Sequence, residues 1–187
     1  MMNAAINQTS NSRRNFLRGN VTDRVETIRP PWSVAESDFL EKCTRCNDCI
    51  SACPENIISL DADGYPFLDF SHTGCNFCAE CLESCGTGAI QGLRSDIDQA
   101  WNHDMRISAS CLSVNGVVCR ACGDHCETSA IRFTLLTKGR SLPKIAADAC
   151  TACGACIAVC PADAISIHQS VHQTNLHTLH QTKEGSL

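Results

Sequence analysis

Residues Cys43 to Pro54 read CTRCNDCISACP, four cysteines in the spacing C-x2-C-x2-C-x3-C closed by a proline. The spacing recurs along the chain. Cys75, Cys78, Cys81 and Cys85 repeat it with Gly86 in the proline's place, and Cys150, Cys153, Cys156 and Cys160 repeat it again before Pro161. A further set is altered: seven residues separate Cys111 from Cys119, after which Cys122 and Cys126 keep the regular steps. These four sets use all 16 cysteines of the 187-residue chain. The segments that begin at each last cysteine, CPENIISL, CGTGAIQG, CETSAIRF and CPADAISI, place Ile57, Ile90, Ile131 and Ile165 four or five residues past their cysteines, so the chain is an internal repeat. Each isoleucine is expected on a short helix that turns its apolar side toward the cysteine loop.

Three chemistries use cysteine at this density: disulfide scaffolds, structural zinc and iron–sulfur clusters. Zinc usually takes two separated C-x2-C knuckles, and a third cysteine two residues later has no role in a tetrahedron. A disulfide framework has no reason to repeat one spacing, and no secretory signal is visible. The run C-x2-C-x2-C-x3-C-P is instead the ligand pattern of bacterial [4Fe-4S] ferredoxins, in which three thiolates wrap a tight loop and the fourth serves a second cluster. Crossed ligation predicts Cys43, Cys46, Cys49 and Cys85 on one cluster and Cys75, Cys78, Cys81 and Cys53 on its neighbour. It also predicts Cys111, Cys119, Cys122 and Cys160 on a third cluster, and Cys150, Cys153, Cys156 and Cys126 on a fourth. A linear assignment, one cluster per run, is the alternative. For the altered Cys111 set the alternative is a degenerate repeat with free, buried thiols, which leaves the cluster count at three or four.

Composition narrows the rest. The formal net charge of −5 provides no basic field for nucleic acid or anionic lipid, and no apolar stretch approaches the roughly 20 residues that span a bilayer. With two Trp, one Tyr and six Phe, an ordinary apolar core is thin, and clusters that staple two halves together would supply folding energy in its place. No Gly-rich phosphate loop, nicotinamide fingerprint or nucleophile–base constellation is present, so the expectation is no enzyme of its own.

The predicted fold class is α+β: tandem bacterial 2[4Fe-4S] ferredoxin-like modules with short helices and β-hairpins. An N-terminal arm (1–35) precedes a first module (36–95) with half-domains 36–63 and 64–95. A connector (96–110) leads to a second module (111–170) with an altered half-domain 111–140 and a regular half-domain 141–170. Residues 171–187 read as a disordered, solvated tail, although His172, His177 and His180 there invite a metal reading with His168. Strand–turn–strand patterns lie at 58–68 around Asp63-Gly64 and at 131–146 around Lys138-Gly139-Arg140. Residues 91–115, which contain Trp101, are expected to include an inter-module helix. His72, His103 and His125 read as structural or surface residues. Ser12-Arg13-Arg14-Asn15-Phe16-Leu17 resembles a twin-arginine export signal, but the polar residues after it lack the apolar region export needs, so the expected location is the cytoplasm.

The Ser-Arg-Arg-x-Phe-Leu arm, the segment Ile28-Arg29-Pro30-Pro31-Trp32, the run opening Cys43-Thr44-Arg45-Cys46 and the succession of sets ending in Cys160-Pro161 occur together over roughly residues 10–170. In these features the chain resembles the NapF family of ferredoxin-type proteins of the periplasmic nitrate reductase system. The resemblance implies a cytoplasmic iron–sulfur protein that binds the precursor of the nitrate reductase catalytic subunit, NapA, and assists its maturation by cluster loading or reduction before export. A general low-potential electron carrier in nitrate respiration is the alternative function, and a cluster-stapled adaptor whose iron never changes oxidation state is a third.

Overall fold

The computed structural model describes residues 27–137 and 140–170. The arm up to residue 26, with its arginine pair, the tail from 171 and the turn residues Lys138 and Gly139 lie outside the described residues. Short helices and two-stranded antiparallel ribbons make up the fold, as an α+β chain of repeats requires. In order these are α1 (Glu36–Lys42), α2 (Asp48–Ala52), β1 (Ile58–Leu60), β2 (Pro66–Leu68), α3 (Glu80–Glu83), β3 (His103–Ile107), α4 (Ala121–Asp124), β4 (Ile131–Leu135), β5 (Ser141–Ile145), α5 (Ala155–Ala158) and β6 (Ile165–Gln169). None of the described helices is long and apolar enough to cross a membrane.

Both expected hairpins form. β1 pairs with β2 with Ile58 opposite Leu68, and β4 pairs with β5 with Ile131 opposite Ile145. In the first turn Asp61 takes the place of a turn's backbone acceptor: its Oδ1 receives the N–H groups of Asp63 and Tyr65, while Gly64 supplies the φ of +82°. Arg29 pins this turn to the segment before α1. It pairs with Glu36 at 2.8 Å and Asp61 at 3.0 Å, donates to the Pro66 carbonyl, and lies over the rings of Phe39 and Tyr65. Burial works against the Asp61 carboxylate, but the N–H donors and Arg29 outweigh it and hold its pKa below the usual carboxylate value.

Two sequence expectations are corrected. The four isoleucines are buried, but not on helices: Ile57 precedes β1, Ile90 bridges to Ser33, Ile131 opens β4 and Ile165 opens β6. The helices lie earlier in each repeat, where α2, α3, α4 and α5 carry the third cysteine of each set and end one or two residues before the fourth. The physical reason is a turn three residues after each fourth cysteine, where Asn56, Gly88, Ser129 and Asp163 all have positive φ, which ends any helix. Residues 91–115 form no inter-module helix. They hold a short 3-10 turn, Ile97–Gln99, and then β3, because the alternating pattern of His103–Ile107 pairs with β6 from His103 opposite Gln169 to Ile107 opposite Ile165.

Residues 28–34, which the sequence groups with the arm, pack into the first repeats. Leu68 N–H donates to the Ile28 carbonyl, Val34 N–H to Ala89, and Gln91 N–H to Trp32. Pro30, Pro31 and Phe39 are fully buried, and the Trp32 indole donates to the Asp96 carbonyl. The apolar residues form two groups, one around Trp32, Phe39 and Phe70, the other around Met105, Ile131 and Ile165, with Trp101, Ile157 and Ile167 packed against both. In each group cysteines are part of the core.

Candidate cluster-binding sites

The sixteen cysteines are all free thiols, and they gather around four small cavities. Cys43, Cys46, Cys49 and Cys85 line the first. Cys75, Cys78, Cys81 and Cys53 line the second. Cys111, Cys119, Cys122 and Cys160 line the third, and Cys150, Cys153, Cys156 and Cys126 the fourth. Every cavity therefore takes three thiols from one run and the last from the other run of its pair. The exchange follows from helix length: α2 packs on α3 and α4 on α5, and the chain leaves each helix after about one turn with its last cysteine on the partner's side. Among the described residues no three His, Cys, Asp or Glu side chains converge as they would around a single ion. The thiols instead ring a space, the arrangement a multinuclear group needs and a lone zinc does not.

The loops are shaped by unusual backbone. In the three regular runs the residues just before and just after the second cysteine have positive φ: Arg45 and Asn47, Phe77 and Ala79, Ala152 and Gly154. Only Gly154 is glycine, and each of the others costs of order 1 kcal/mol or more. Such alternation of right- and left-handed residues turns successive N–H groups toward one side, a concavity that suits anionic iron–sulfur groups. The altered run departs here as well, since Arg120 has φ of −137°. Sequence reasoning missed these positions: Asn47 is a residue type that favours the left-handed region, but nothing in Arg, Phe and Ala singles the others out.

Hydrogen bonds reach the sulfurs. Phe77 N–H donates to Cys75 Sγ at 3.4 Å, Ile90 N–H to Cys85 Sγ at 3.4 Å and Ala164 N–H to Cys160 Sγ at 3.2 Å. Where proline is missing after the fourth cysteine, a threonine hydroxyl lies beside it: Thr87 Oγ1 is 3.5 Å from Cys85 Sγ and Thr128 Oγ1 is 3.6 Å from Cys126 Sγ. At both cysteines burial raises the pKa, but these hydroxyl and N–H groups outweigh it and the thiols end below their ordinary value. Elsewhere burial wins. It pushes Cys75, Cys81 and Cys156 up to about 12 and Cys49 and Cys122 up to about 11, with neighbouring cysteines adding to the rise. Thiols in such surroundings are deprotonated only if a cation compensates, as iron does. The second cavity is also closed by Pro31 and Trp32, whose ring stands edge-on to Phe77 at 6.5 Å. A [4Fe-4S] group fits this donor set of four thiols, N–H groups turned to sulfur and a cavity between them.

The family "4Fe-4S dicluster domain" matches residues 42–89, which span the first pair of runs, and 117–164, which span the second pair except Cys111, and the sixteen cysteines provide for up to four [4Fe-4S] clusters. The ferredoxin-type protein NapF of Escherichia coli K12 is 40% identical over 155 residues, covering 83% of this chain and 93% of that protein. NapF of Haemophilus influenzae is 40% identical over 166 residues with the same coverage. The methylamine utilization ferredoxin-type protein MauM of Methylorubrum extorquens is 33% identical over 150 residues, covering 71% of this chain and 67% of that protein. With its cysteine spacing, its paired cavities and these relatives in agreement, the chain belongs to the NapF family of ferredoxin-type iron–sulfur proteins.

Proposed function

We propose that each of the four thiol-lined cavities holds one [4Fe-4S] cluster, with the crossed ligand sets Cys43, Cys46, Cys49 and Cys85; Cys75, Cys78, Cys81 and Cys53; Cys111, Cys119, Cys122 and Cys160; and Cys150, Cys153, Cys156 and Cys126. The observation that carries this is the recruitment of every cavity's fourth thiol from the paired run. The two modules are residues 36–95 and 111–170. When bound, such clusters supply one-electron exchange at potentials set by hydrogen bonds to sulfur, local charge and exposure. The chain's residues set those conditions. The left-handed loop residues turn N–H groups inward, Trp32 and Pro31 cover the second cavity, and Thr87 and Thr128 hydrogen-bond sulfur in the first and fourth.

Thr87→Val tests this tuning. A hydroxyl donor stabilises the more negative, reduced state, so its loss is expected to lower one cluster's potential by roughly 20–60 mV, equivalent to about 0.5–1.5 kcal/mol for one electron. Redox titration followed by EPR reads the shift, and Thr87→Ser restores the parent value. Unchanged potentials in Thr87→Val remove the threonine from this role.

The role of the clusters is assistance to a partner, not catalysis by the chain itself. We place the protein in the cytoplasm, where it binds the NapA precursor and supports maturation of that nitrate reductase subunit by cluster loading or reduction before export. Similarity to NapF over most of both chains supports this reading. A general low-potential electron carrier in nitrate respiration is the second reading, supported by the ferredoxin-type description that NapF and MauM share. Anaerobic capture of NapA precursor from cytoplasm by the cluster-loaded chain supports maturation. Fast electron exchange with a respiratory reductase and no precursor capture supports the carrier instead.

A further inference from the structure

The first two cavities lie in one pair of repeats and the last two in the other, and the pairs meet off centre. The backbone N–H of Cys75 donates to the carbonyl of Cys153 at 2.7 Å, so a cysteine of the second set and one of the fourth are joined main chain to main chain. Such an approach leaves no room for a Cβ on either side. At Gly74 it would lie 2.5 Å from the Ala155 backbone nitrogen, which cannot swing away. At Gly154 it would lie 2.3 Å from the Phe70 ring, and the φ of +83° there suits only glycine well. Trp101 seals the same joint. Its Nε1–H donates at 2.9 Å to the carbonyl of Thr151, between Cys150 and Cys153, while its ring stands edge-on to Phe77, between Cys75 and Cys78, at 5.2 Å. One indole thus touches the loops of both sets.

We infer that Gly74, Gly154 and Trp101 are positioning residues that hold the second and fourth cysteine sets side by side, so that the four sets form one row in the order first, second, fourth, third. The inference rests on the ligand assignment proposed above. The row departs from chain order because the joint is made by the loop of the fourth run and not by that of the third. Its ends are the Cys43 set and the Cys111 set.

EPR of the anaerobically purified, reduced protein tests the order. C46A/C119A removes one thiol from each end set and is expected to hold about eight irons, with a spectrum broadened by spin–spin interaction between neighbouring clusters. C46A/C150A, which leaves the second and third sets, is expected to hold about eight irons and to give narrow, independent signals. Narrow signals from C46A/C119A at that iron content overturn the row while leaving the ligand assignment standing. An iron content that does not fall by about eight overturns the ligand assignment and the row with it. The intact chain provides a second reading that requires no cluster to be removed. G154V is expected to keep its iron near sixteen and to simplify the reduced spectrum to that of two separate pairs, and a spectrum identical to the parent's overturns the positioning role.

Discussion

Cys85→Ala is expected to lower bound iron from about sixteen to about twelve atoms per chain, and the iron lost is that shared with Cys43, Cys46 and Cys49. Cys85 lines the first cavity, not the cavity of its own run, and the N–H of Ile90 and the hydroxyl of Thr87 hold its sulfur in place. Pairing the substitution with others identifies the cluster. Cys85→Ala with Cys46→Ala removes two thiols from one cavity and is expected to hold the same iron as either single variant, about twelve. Cys85→Ala with Cys78→Ala opens two cavities and is expected to hold about eight. Iron and sulfide analysis of anaerobically prepared protein reads the difference directly. Were each run to hold its own cluster, the two double variants would exchange their iron contents.

Removing the iron is expected to unfold the chain. Buried cysteines are core residues in both apolar groups, and Cys49, Cys81 and Cys156 sit at the centre of the helix pairs. Helices of four or five residues are far too short to persist without tertiary support. The left-handed residues Arg45, Asn47, Phe77, Ala79 and Ala152 store strain that the loops keep only while something inside them holds the thiols together. Each crossed site also ties two repeats to one another, so loss of the group releases both. After anaerobic chelation, near-UV circular dichroism and amide protection at Ile58 and Ile131 are expected to collapse together. An iron-free chain that melts cooperatively at the parent's temperature would show that apolar packing suffices and that the clusters are passengers.

Both expectations begin in spacing that could be read directly. Three regular runs and one altered run, with the hairpins at 58–68 and 131–146, were legible because turn chemistry and cysteine steps act over a few residues. The helices were misplaced for a related reason. Ile57 and its counterparts are apolar enough for either a helix or a strand start, and the positive φ three residues after each fourth cysteine depends on the loop it closes. Likewise Trp101 reads as part of a helical connector, because the partner of β3 is about sixty residues away in β6.

Local order along the chain therefore determined the cysteine spacing and the number of repeats, since each depends on residues a few positions apart, but left crossed and linear ligation both open. The meeting of the two pairs was decided only in three dimensions. The contact of Cys75 with Cys153 depends on Gly74 and Gly154 lacking side chains at one shared point, and on an indole that reaches across it. A glycine's freedom is visible in sequence, but the surface it must admit belongs to a distant segment, and only packing brings that segment near.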